Sequence, residues 1–284
     1  MPAAGLIALL LALGPTDGQT PTPLLPPPIS ANAILPRPLP SAPLPDWNAA
    51  VGRKIVSLTI DKVTLRGFEY PAKIANAPTV LFFGGNAWEI NDADQTFRAL
   101  ADEGVRVVAY DYRGYGFSEG RADVRTFRRD ALRLYDALAA TTPGGAARVG
   151  VFGFSMGTAI AAYVASERKV AGMVLVAPIS NAHAFFIDYV APRRSPFPPE
   201  KLMTTPDADE AFDEVGMVAK STAPLLVVHG DADDTVPYAE GKEVFAASRS
   251  AQKSFVTIRG AKHDEAVTSD KAFEAYATFF ATLR

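Results

Sequence analysis

One serine in this chain of 284 residues stands in a setting that could make it a nucleophile. Ser155 is the centre of a Gly-Phe-Ser-Met-Gly run that directly follows the apolar stretch Val149–Phe152 and opens a helical pattern rich in alanine. A tight turn from a strand into a helix exposes the serine hydroxyl, and glycines on both sides avoid collisions with the strand and the helix. Free N–H groups at the helix N-terminus would face developing negative charge. The pattern therefore predicts a catalytic nucleophile at Ser155.

A serine hydroxyl is a poor nucleophile until a base takes its proton, and the expected base is one of three histidines. His263 follows the last predicted strand and precedes the C-terminal helix, where a loop can bring it over the sheet, so we expect it to be the base. His229 ends an apolar strand, and we expect it to be a buried, hydrogen-bonded residue of the turn. His183 falls in a long inserted segment, where a surface position is favoured over a place in a pocket.

An imidazole base needs a carboxylate to set its tautomer, and three aspartates follow one apolar strand. They lie within Leu225–Pro237 and are Asp231, Asp233 and Asp234. Each of them would give the order serine, aspartate, histidine along the chain. That order is found in α/β-hydrolases and differs from the orders of the chymotrypsin and subtilisin folds.

The composition excludes several other kinds of chemistry. A net charge of −3, from 28 basic and 31 acidic residues, lacks the basic excess of nucleic-acid-binding proteins, so we expect no nucleic-acid partner. The chain has no cysteine, which excludes disulfides, iron–sulfur clusters, cysteine-ligated zinc and thiol nucleophiles. Three histidines are too few for a histidine-rich metal site. We therefore expect no metal, and covalent chemistry that runs through oxygen or nitrogen.

After residue 50, short apolar runs alternate with helical patterns, which is typical of a mostly parallel sheet covered by helices. Ile55–Ile60 and Val63–Tyr70 alternate between apolar and polar residues and predict an antiparallel hairpin. Six continuous apolar runs predict strands that are buried on both faces. These runs are Thr79–Phe83, Val105–Tyr110, Val149–Phe152, Gly172–Val176, Leu225–Val228 and Phe255–Ile258. The sequence therefore predicts an α/β fold with a central sheet of about eight strands.

Five helices are predicted from helical spacing of apolar residues. They are Asp92–Glu103, Arg125–Ala140, Ser155–Ser166, Tyr238–Ala247 and Ser269–Leu283. The second of them has one apolar stripe, which predicts that its four arginines lie on the solvent side. These are Arg125, Arg128, Arg129 and Arg133.

Residues 180–221 break the alternation of strands and helices. The segment carries several aromatic residues, five prolines and an acidic stretch, and it shows no strand periodicity. It is too long for an ordinary loop of a compact domain. Since it falls between the strand that follows the serine turn and the strand that precedes the aspartates, we expect a cap over a pocket.

The first 46 residues differ from the rest of the chain. The apolar stretch Ala3–Gly14 is too short to span a membrane and predicts a signal peptide over residues 1–18, although no lysine or arginine precedes Arg37. Of the 23 prolines, 12 lie in residues 1–46, which predicts a proline-rich, disordered linker over residues 19–46. We expect a folded domain over residues 47–284, no stable membrane span, and export to the periplasm or medium. A cytoplasmic location is the alternative if the apolar stretch is not a signal.

Four motifs occur in order and carry a resemblance to a known family. They are Phe82-Phe83-Gly84-Gly85-Asn86-Ala87, Asp111-Tyr112-Arg113-Gly114-Tyr115-Gly116-Phe117-Ser118, the turn at Ser155, and His229-Gly230-x-x-Asp233-x-x-Val236-Pro237 followed by His263. From about residue 50 to its end the chain resembles the α/β-hydrolase fold serine hydrolases. Within them it is similar to the serine-aminopeptidase-like and lysophospholipase-like branch that includes protein depalmitoylases.

The resemblance implies an α/β-hydrolase fold and a role for five residues. It selects Asp233 as the acid, because the family's acid is the aspartate of the fourth motif, and joins it to Ser155 and His263 in a triad. It also implies an oxyanion hole formed by the backbone N–H groups of Asn86 and Met156.

One departure from the family concerns the loop of the first motif. The family usually has His-Gly-Asn-Ala there, and Gly84 stands in place of the histidine. The departure bears on the packing of the loop and not on the backbone N–H that follows the glycine pair. Trp88 and Tyr115 are candidates for lining a substrate pocket, although ordinary packing is the more common role of such residues.

The expected reaction is acyl transfer to water, in which a small-molecule ester or thioester is cleaved through an acyl-enzyme without a cofactor. Two alternatives stay open. The same triad would serve an amide or peptide hydrolase, and the same fold also carries binding proteins without catalysis. Acyl chain length, leaving group and oligomeric state do not follow from the sequence.

Overall fold

The computed structural model describes residues 26–35 and 52–283. Within these ranges, eight strands form one sheet in the order β1-β2-β4-β3-β5-β6-β7-β8. The strands are β1 (Lys54–Ile60), β2 (Val63–Tyr70), β3 (Thr79–Phe83), β4 (Arg106–Tyr110), β5 (Val149–Phe154), β6 (Met173–Val176), β7 (Leu225–Gly230) and β8 (Lys253–Ile258). β1 pairs antiparallel with β2, and β2 with β4, whereas the other pairs are parallel. The predicted α/β class and the sheet of about eight strands are confirmed.

Helices pack against the sheet from both sides. They are α1 (Asp94–Asp102), α2 (Val124–Thr141), α3 (Met156–Glu167), α4 (Ala191–Arg194), α5 (Pro206–Ala211), α6 (Glu214–Lys220), α7 (Tyr238–Ala247), α8 (Glu265–Thr268) and α9 (Asp270–Ala281). Alternate residues of β3 enter different apolar clusters, Val80 and Phe82 one and Leu81 and Phe83 the other, as expected for a strand with two buried faces. Among the described helices, none has the length and apolarity needed to cross a membrane.

The carboxyl ends of the parallel strands bring the candidate site residues to one edge of the sheet. Ser155 follows β5 directly, and the loop with Asn86 follows β3. Asp233 follows β7, and His263 follows β8. Because these strands run in the same direction, residues far apart in sequence reach the same end of the fold.

We call residues 180–221 the cap segment, and it is mainly helical. It contains a π-helical stretch, His183–Val190, and then the short helices α4, α5 and α6. Phe186 is buried and packs edge-on against Phe212, with ring centroids 5.6 Å apart. The sequence predicted the segment but none of its helices, because each is too short to show a clear apolar period.

Residues 26–35 fall in the predicted disordered linker, but they pack against the domain. Ile29 forms a β-bridge with Thr204 of the cap segment. Ala31 and Ile34 lie in a 3₁₀ turn and are only 1% and 2% exposed. These ten residues are packed and not disordered as predicted, because the domain covers their few apolar side chains. The predicted signal peptide, the rest of the linker and residues 47–51 lie outside the described residues, so those boundaries and export stay predictions.

The same ten residues also tie the cap segment to helix α2. Asn32 Oδ1 accepts a hydrogen bond from the Val124 N–H at 2.9 Å, and Asn32 Nδ2 donates to Asp123, the N-cap residue of α2. Ala31 N–H donates to Asp207 in the first turn of α5. Free N–H groups at helix starts need such partners, so this contact stabilises α2 directly.

One arginine of α2 does not lie where the sequence predicted. Arg125, Arg129 and Arg133 are exposed, as expected, but Arg128 is buried. Its guanidinium lies 3.8 Å from the ring centroid of Tyr163 and donates to Glu210 of the cap segment. The prediction is wrong for Arg128 because the cap segment packs over this part of α2.

Shortening the buried Ile34 tests the packing of residues 26–35. We expect Ile34→Ala to lower the free energy of unfolding by about 2–4 kcal/mol, because it removes buried methyl groups and leaves a cavity. Urea unfolding followed by circular dichroism measures this change. Ile74→Ala is the matched control, since Ile74 is 43% exposed. Equal stability of the two variants would contradict the packing described.

Candidate active site

The turn that carries Ser155 is strained. Ser155 has φ 53° and ψ −125°, a backbone conformation that residues with side chains rarely adopt. Glycines on both sides of Ser155 allow the backbones of the strand and the helix to approach closely. A Cβ on Gly157 would lie 2.1 Å from the Phe83 carbonyl oxygen, and one on Gly153 would lie 2.4 Å from the Gly157 carbonyl oxygen. The predicted strand-to-helix turn is therefore present, and both glycines are required by close backbone contacts.

Ser155 lies between β5 and α3 and is 8% exposed. Its N–H donates to the Val176 carbonyl oxygen of β6 at 2.9 Å, which joins the turn to the sheet. Met156 is the first residue of α3, and an N–H at this position has no acceptor within its own helix. The loop after β3 lies alongside, because a Cβ on Gly85 would be 3.4 Å from the Cβ of Ser155.

Asp233 and His263 form a buried hydrogen-bonded pair. The distance from His263 Nδ1 to Asp233 Oδ2 is 2.8 Å, with the carboxylate side chain fully buried and the imidazole 12% exposed. Asp233 Oδ1 accepts from the backbone N–H groups of Thr235 and Val236 at 2.8 and 2.9 Å. A proton held on Nδ1 leaves Nε2 free to accept another, which is the tautomer that a general base needs.

His229 is a second histidine beside the same carboxylate. It is fully buried, and its Nε2 lies 3.1 Å from the Val236 carbonyl oxygen and 3.4 Å from Asp233 Oδ2. Burial disfavours the charged form of Asp233, but hydrogen bonds from His229 and His263 outweigh it and hold the pKa of Asp233 well below its usual range. Gly241 makes room for His229, because a Cβ there would lie 2.3 Å from Nδ1. The expected buried, hydrogen-bonded His229 is found.

The other acid and base candidates lie away from this pair. Asp231 Oδ1 accepts from the Gly260 N–H, in the loop after β8, at 2.6 Å. Asp234 is exposed and faces Lys262 at 3.6 Å. His183 is exposed in the cap segment, which agrees with the surface position favoured from the sequence, and it faces Asp188 at 3.5 Å.

Two tyrosines hold the loop that follows β3. Tyr112 OH donates to the Gly84 carbonyl oxygen at 2.9 Å, and Tyr115 OH donates to Asn86 Oδ1 at 3.1 Å. Both tyrosines are buried. Tyr115, a candidate pocket residue from the sequence, is thus a support of the loop, and the loop is anchored at Gly84 without the family's histidine.

Aromatic rings connect this loop to the imidazole. Trp88, the second candidate pocket residue, lies with its ring centroid 4.6 Å from that of Phe154. Phe154 directly precedes Ser155, and its ring centroid is 4.9 Å from that of His263. Phe154 therefore covers one side of the imidazole, and Trp88 packs against Phe154.

Asp111 fixes the glycine-rich turn that contains both tyrosines. Its carboxylate accepts from the Ile90 N–H at 2.8 Å and the Phe117 N–H at 2.9 Å. Burial raises the pKa of Asp111 to about 7, although these two hydrogen bonds lower it. A Cβ on Gly116, where φ is +41°, would lie 2.2 Å from Asp111 Oδ2. The supporting role that the sequence suggested for this turn agrees with these contacts.

No role was predicted for Tyr112 or Phe154 from the sequence. Tyr112 lies in the glycine-rich second motif, and Phe154 lies in the serine turn. Their positions were visible in the sequence, but their contacts were not. Only the fold brings the Tyr112 hydroxyl to Gly84 and the Phe154 ring to His263.

The sheet order, the strained serine turn and the positions of the acid and imidazole pair are those of the α/β-hydrolase fold. Residues 75–200 match the family model described as Hydrolase_4, serine aminopeptidase, S33. The chain therefore has the α/β-hydrolase fold and is similar to this family over those residues, as the resemblance implied.

Relatives in several organisms are similar over much of the chain. An uncharacterized protein of Mycobacterium tuberculosis is 29% identical over 231 residues, which covers 80% of this chain and 78% of the relative. Human alpha/beta hydrolase domain-containing protein 17C is 24% identical over 207 residues, 72% of this chain and 56% of the relative. Human protein ABHD12B is 32% identical over 166 residues, 55% of this chain and 45% of the relative.

Solved structures share the fold. The esterase Est1E of Butyrivibrio proteoclasticus, solved with ferulic acid bound, has a TM-score of 0.63 and 20% identity, over 80% of this chain and 98% of that one. A soluble variant of the monoglyceride lipase of Saccharomyces cerevisiae, in complex with a substrate analogue, has a TM-score of 0.58 and 17% identity, over 85% and 98%. At these identities the likeness establishes the fold.

Removing the Tyr115 hydroxyl tests its support of the loop. In Tyr115→Phe the hydrogen bond to Asn86 is lost while the ring stays, so we expect kcat for hydrolysis to fall about tenfold, less than on loss of an oxyanion donor itself. Steady-state kinetics measure the change. Tyr276→Phe is the control, because this fully buried tyrosine bonds to the Ala266 carbonyl oxygen away from the loop. Equal kcat values for both variants would contradict the role of Tyr115.

Proposed function

We propose that the protein is a serine hydrolase that cleaves carboxylic ester or thioester bonds through an acyl-enzyme. The observation that carries the proposal is the 2.8 Å hydrogen bond from His263 Nδ1 to the buried Asp233, beside the strained turn of Ser155. In this proposal Ser155 is the nucleophile, His263 the general base and Asp233 the orienting acid. The backbone N–H groups of Asn86 and Met156 form the oxyanion hole.

In the first half-reaction the acyl group moves to the enzyme. His263 Nε2 takes the proton of the Ser155 hydroxyl as Oγ attacks the carbonyl carbon of the substrate. The negative charge of the tetrahedral intermediate develops on the former carbonyl oxygen, where the two N–H groups stabilise it. Asp233 stabilises the imidazolium, which then gives its proton to the departing alkoxide or thiolate. The products are a free alcohol or thiol and an acyl ester of Ser155.

In the second half-reaction water releases the acyl group. His263 Nε2 takes a proton from water as the water oxygen attacks the acyl carbon, and the imidazolium returns the proton to Ser155 Oγ. A free carboxylic acid leaves and the enzyme is restored. The low pKa of Asp233 keeps its carboxylate charged through both steps, so each imidazolium has a counter-ion.

Ester or thioester bonds are the favoured substrates in this proposal. The solved structures that share the fold include an esterase with ferulic acid bound and a monoglyceride lipase in complex with a substrate analogue. The cap segment contributes two buried aromatic side chains, Phe185 and Phe186, to the apolar cluster that also contains residues of α3. These features support a substrate with an apolar acyl or aryl group.

Amide or peptide hydrolysis is the second candidate. The description of the matching family, serine aminopeptidase, favours it. The same triad serves both reactions, because the proton that His263 returns can go to an amine leaving group. A panel of short-chain nitrophenyl esters, acyl thioesters and aminoacyl amides separates the two. A higher kcat/KM on the amides than on every ester and thioester would favour the second candidate.

Ser155→Ala tests the nucleophile. We expect the intact mass of the wild-type protein to increase by one adduct with a fluorophosphonate probe, whereas the variant stays unmodified, because the probe reacts with an activated serine. Ester turnover should fall by about 10³-fold or more. Circular dichroism shows whether the variant is folded. A folded wild-type protein that takes up no probe, or a variant that keeps its turnover, would contradict the proposal.

Substitution of two neighbouring aspartates tests the acid. Asp233→Asn removes the charge that holds the His263 tautomer, so we expect kcat to fall about 10²-fold or more. Asp231→Asn is the matched control, since this side chain bonds to a loop backbone N–H, and we expect its kcat within about threefold of wild type. Both values come from the same steady-state assay. A larger loss for Asp231→Asn would show that Asp233 is not the acid.

A further inference from the structure

Glu214 is a fully buried acid directly behind the serine turn, and the proposed reaction does not use it. It begins helix α6 of the cap segment and is 0% exposed. Its Oε1 lies 2.7 Å from Thr158 Oγ1 and 3.2 Å from the Ile179 backbone nitrogen. Its Oε2 is buried and has no hydrogen-bond partner within the described residues. A carboxylate in this place would carry an unpaired charge away from water, which is strongly unfavourable.

The hydroxyl of Thr158 has two neighbours that both need a proton. Thr158 Oγ1 hydrogen bonds the Ser155 carbonyl oxygen and also contacts Glu214 Oε1. A threonine hydroxyl has one proton, and a backbone carbonyl oxygen only accepts. Both contacts are satisfied when the second proton comes from Glu214. The carboxyl O–H of Glu214 then donates to Thr158 Oγ1, and the Thr158 hydroxyl donates to Ser155.

The Ser155 carbonyl matters because of the peptide to which it belongs. The carbonyl oxygen of Ser155 and the N–H of Met156 lie in one planar peptide unit and point in opposite directions. The carbonyl also accepts from the Thr158 N–H at 2.9 Å, so two hydrogen bonds from one residue fix it. Fixing the carbonyl of Ser155 therefore fixes the direction of the Met156 N–H, the proposed oxyanion donor.

We propose that Glu214 is a positioning residue that acts as a neutral acid, donating through the Thr158 hydroxyl to the Ser155 carbonyl and thereby aiming the Met156 N–H. The inference rests on the proposed function of the site. It adds a requirement that the cap segment, which supplies Glu214, must be docked on α3 for the oxyanion hole to be aligned.

The surroundings of Glu214 keep it uncharged. Burial raises its pKa well above the usual range, and Glu240 of α7 raises it further, although the contacts with Thr158 and Ile179 lower it. Glu240 is itself buried, and burial raises its pKa to about 7 in spite of a hydrogen bond from the Ser180 N–H at 2.9 Å.

Two further acids act on Glu240. Glu243 of α7 and Asp233 after β7 both raise the pKa of Glu240. Burial raises the pKa of the nearby Tyr189, Arg193 lowers it, and Asp233, Asp234 and Glu240 raise it. Charge on Glu214 would thus meet like charge from Glu240 of α7. It would also oppose the oxyanion that the site has to stabilise.

Thr158→Val tests the relay, because it removes the hydroxyl with little change of shape. We expect kcat on a nitrophenyl ester to fall about 10–100-fold with KM within about threefold, since an oxyanion donor acts mainly on the transition state. Thr158→Ser is the matched control that restores the hydroxyl, and we expect it to keep most of the wild-type kcat. A kcat for Thr158→Val equal to that of Thr158→Ser would overturn the proposal.

The protonation of Glu214 has a readout that does not depend on activity. A carboxyl with a higher pKa in the folded than in the unfolded protein makes the folded state bind more protons, so the free energy of unfolding falls as the pH rises above the unfolded pKa. Glu214→Gln cannot titrate. We expect the stability of this variant, relative to wild type, to increase steadily from pH 5 to pH 9 in urea unfolding. Parallel stability curves would overturn the proposal.

The two measurements separate failure of this inference from failure of the proposed function. A wild-type protein that hydrolyses none of the esters would contradict the proposed function, while the stability curves would still decide whether Glu214 is protonated. Normal hydrolysis combined with parallel stability curves would overturn only the role of Glu214. Glu240→Gln serves as a further control, because it removes the neighbouring acid and leaves the contact between Glu214 and Thr158 in place.

Discussion

The site depends on one constraint, the strained backbone of Ser155 at φ 53° and ψ −125°. A residue with a side chain adopts this conformation only where its surroundings hold it there. Here the Ser155 N–H is bound to β6 and its carbonyl to Thr158, while Gly153 and Gly157 let the strand and the helix approach closely. The arrangement of the other site residues follows, because each comes from the carboxyl end of a strand that pairs with β5 directly or through its neighbours.

Electrostatics divide the buried acids of the site into two kinds. Asp233 accepts hydrogen bonds from His263 and two backbone N–H groups and lies beside His229, so its pKa is low and it stays charged. Glu214 and Asp111 are also buried but have fewer donors, and burial raises the pKa of each. Buried carboxyl groups therefore supply a counter-ion for the imidazole in one place and hold neighbouring groups in the others. The difference comes from the number of donors around each carboxyl group and not from its depth alone.

Much of the fold was predictable from the sequence, because strands covered on both faces are continuous apolar runs. β2 and β3 have the predicted limits, and the others differ by one or two residues at their ends. The position of Asp233 beside His263 was predicted through the family motif. Local patterns could not reveal contacts made across the fold, such as Arg128 beneath the cap segment or Ile34 against the domain. The contact between Glu214 and Thr158 was not predictable for the same reason, since nothing in the sequence of its own helix indicates it.

In the proposed reaction Ser155 carries the acyl group between two half-reactions. Rapid quenching of the protein with a nitrophenyl ester, followed by intact mass measurement and peptide mapping, detects this intermediate. We expect a transient mass increase equal to the acyl group, mapped to the peptide with Ser155, that decays at the rate of turnover. Ester turnover without any acyl adduct, or an adduct on another residue, would show that Ser155 is not the nucleophile.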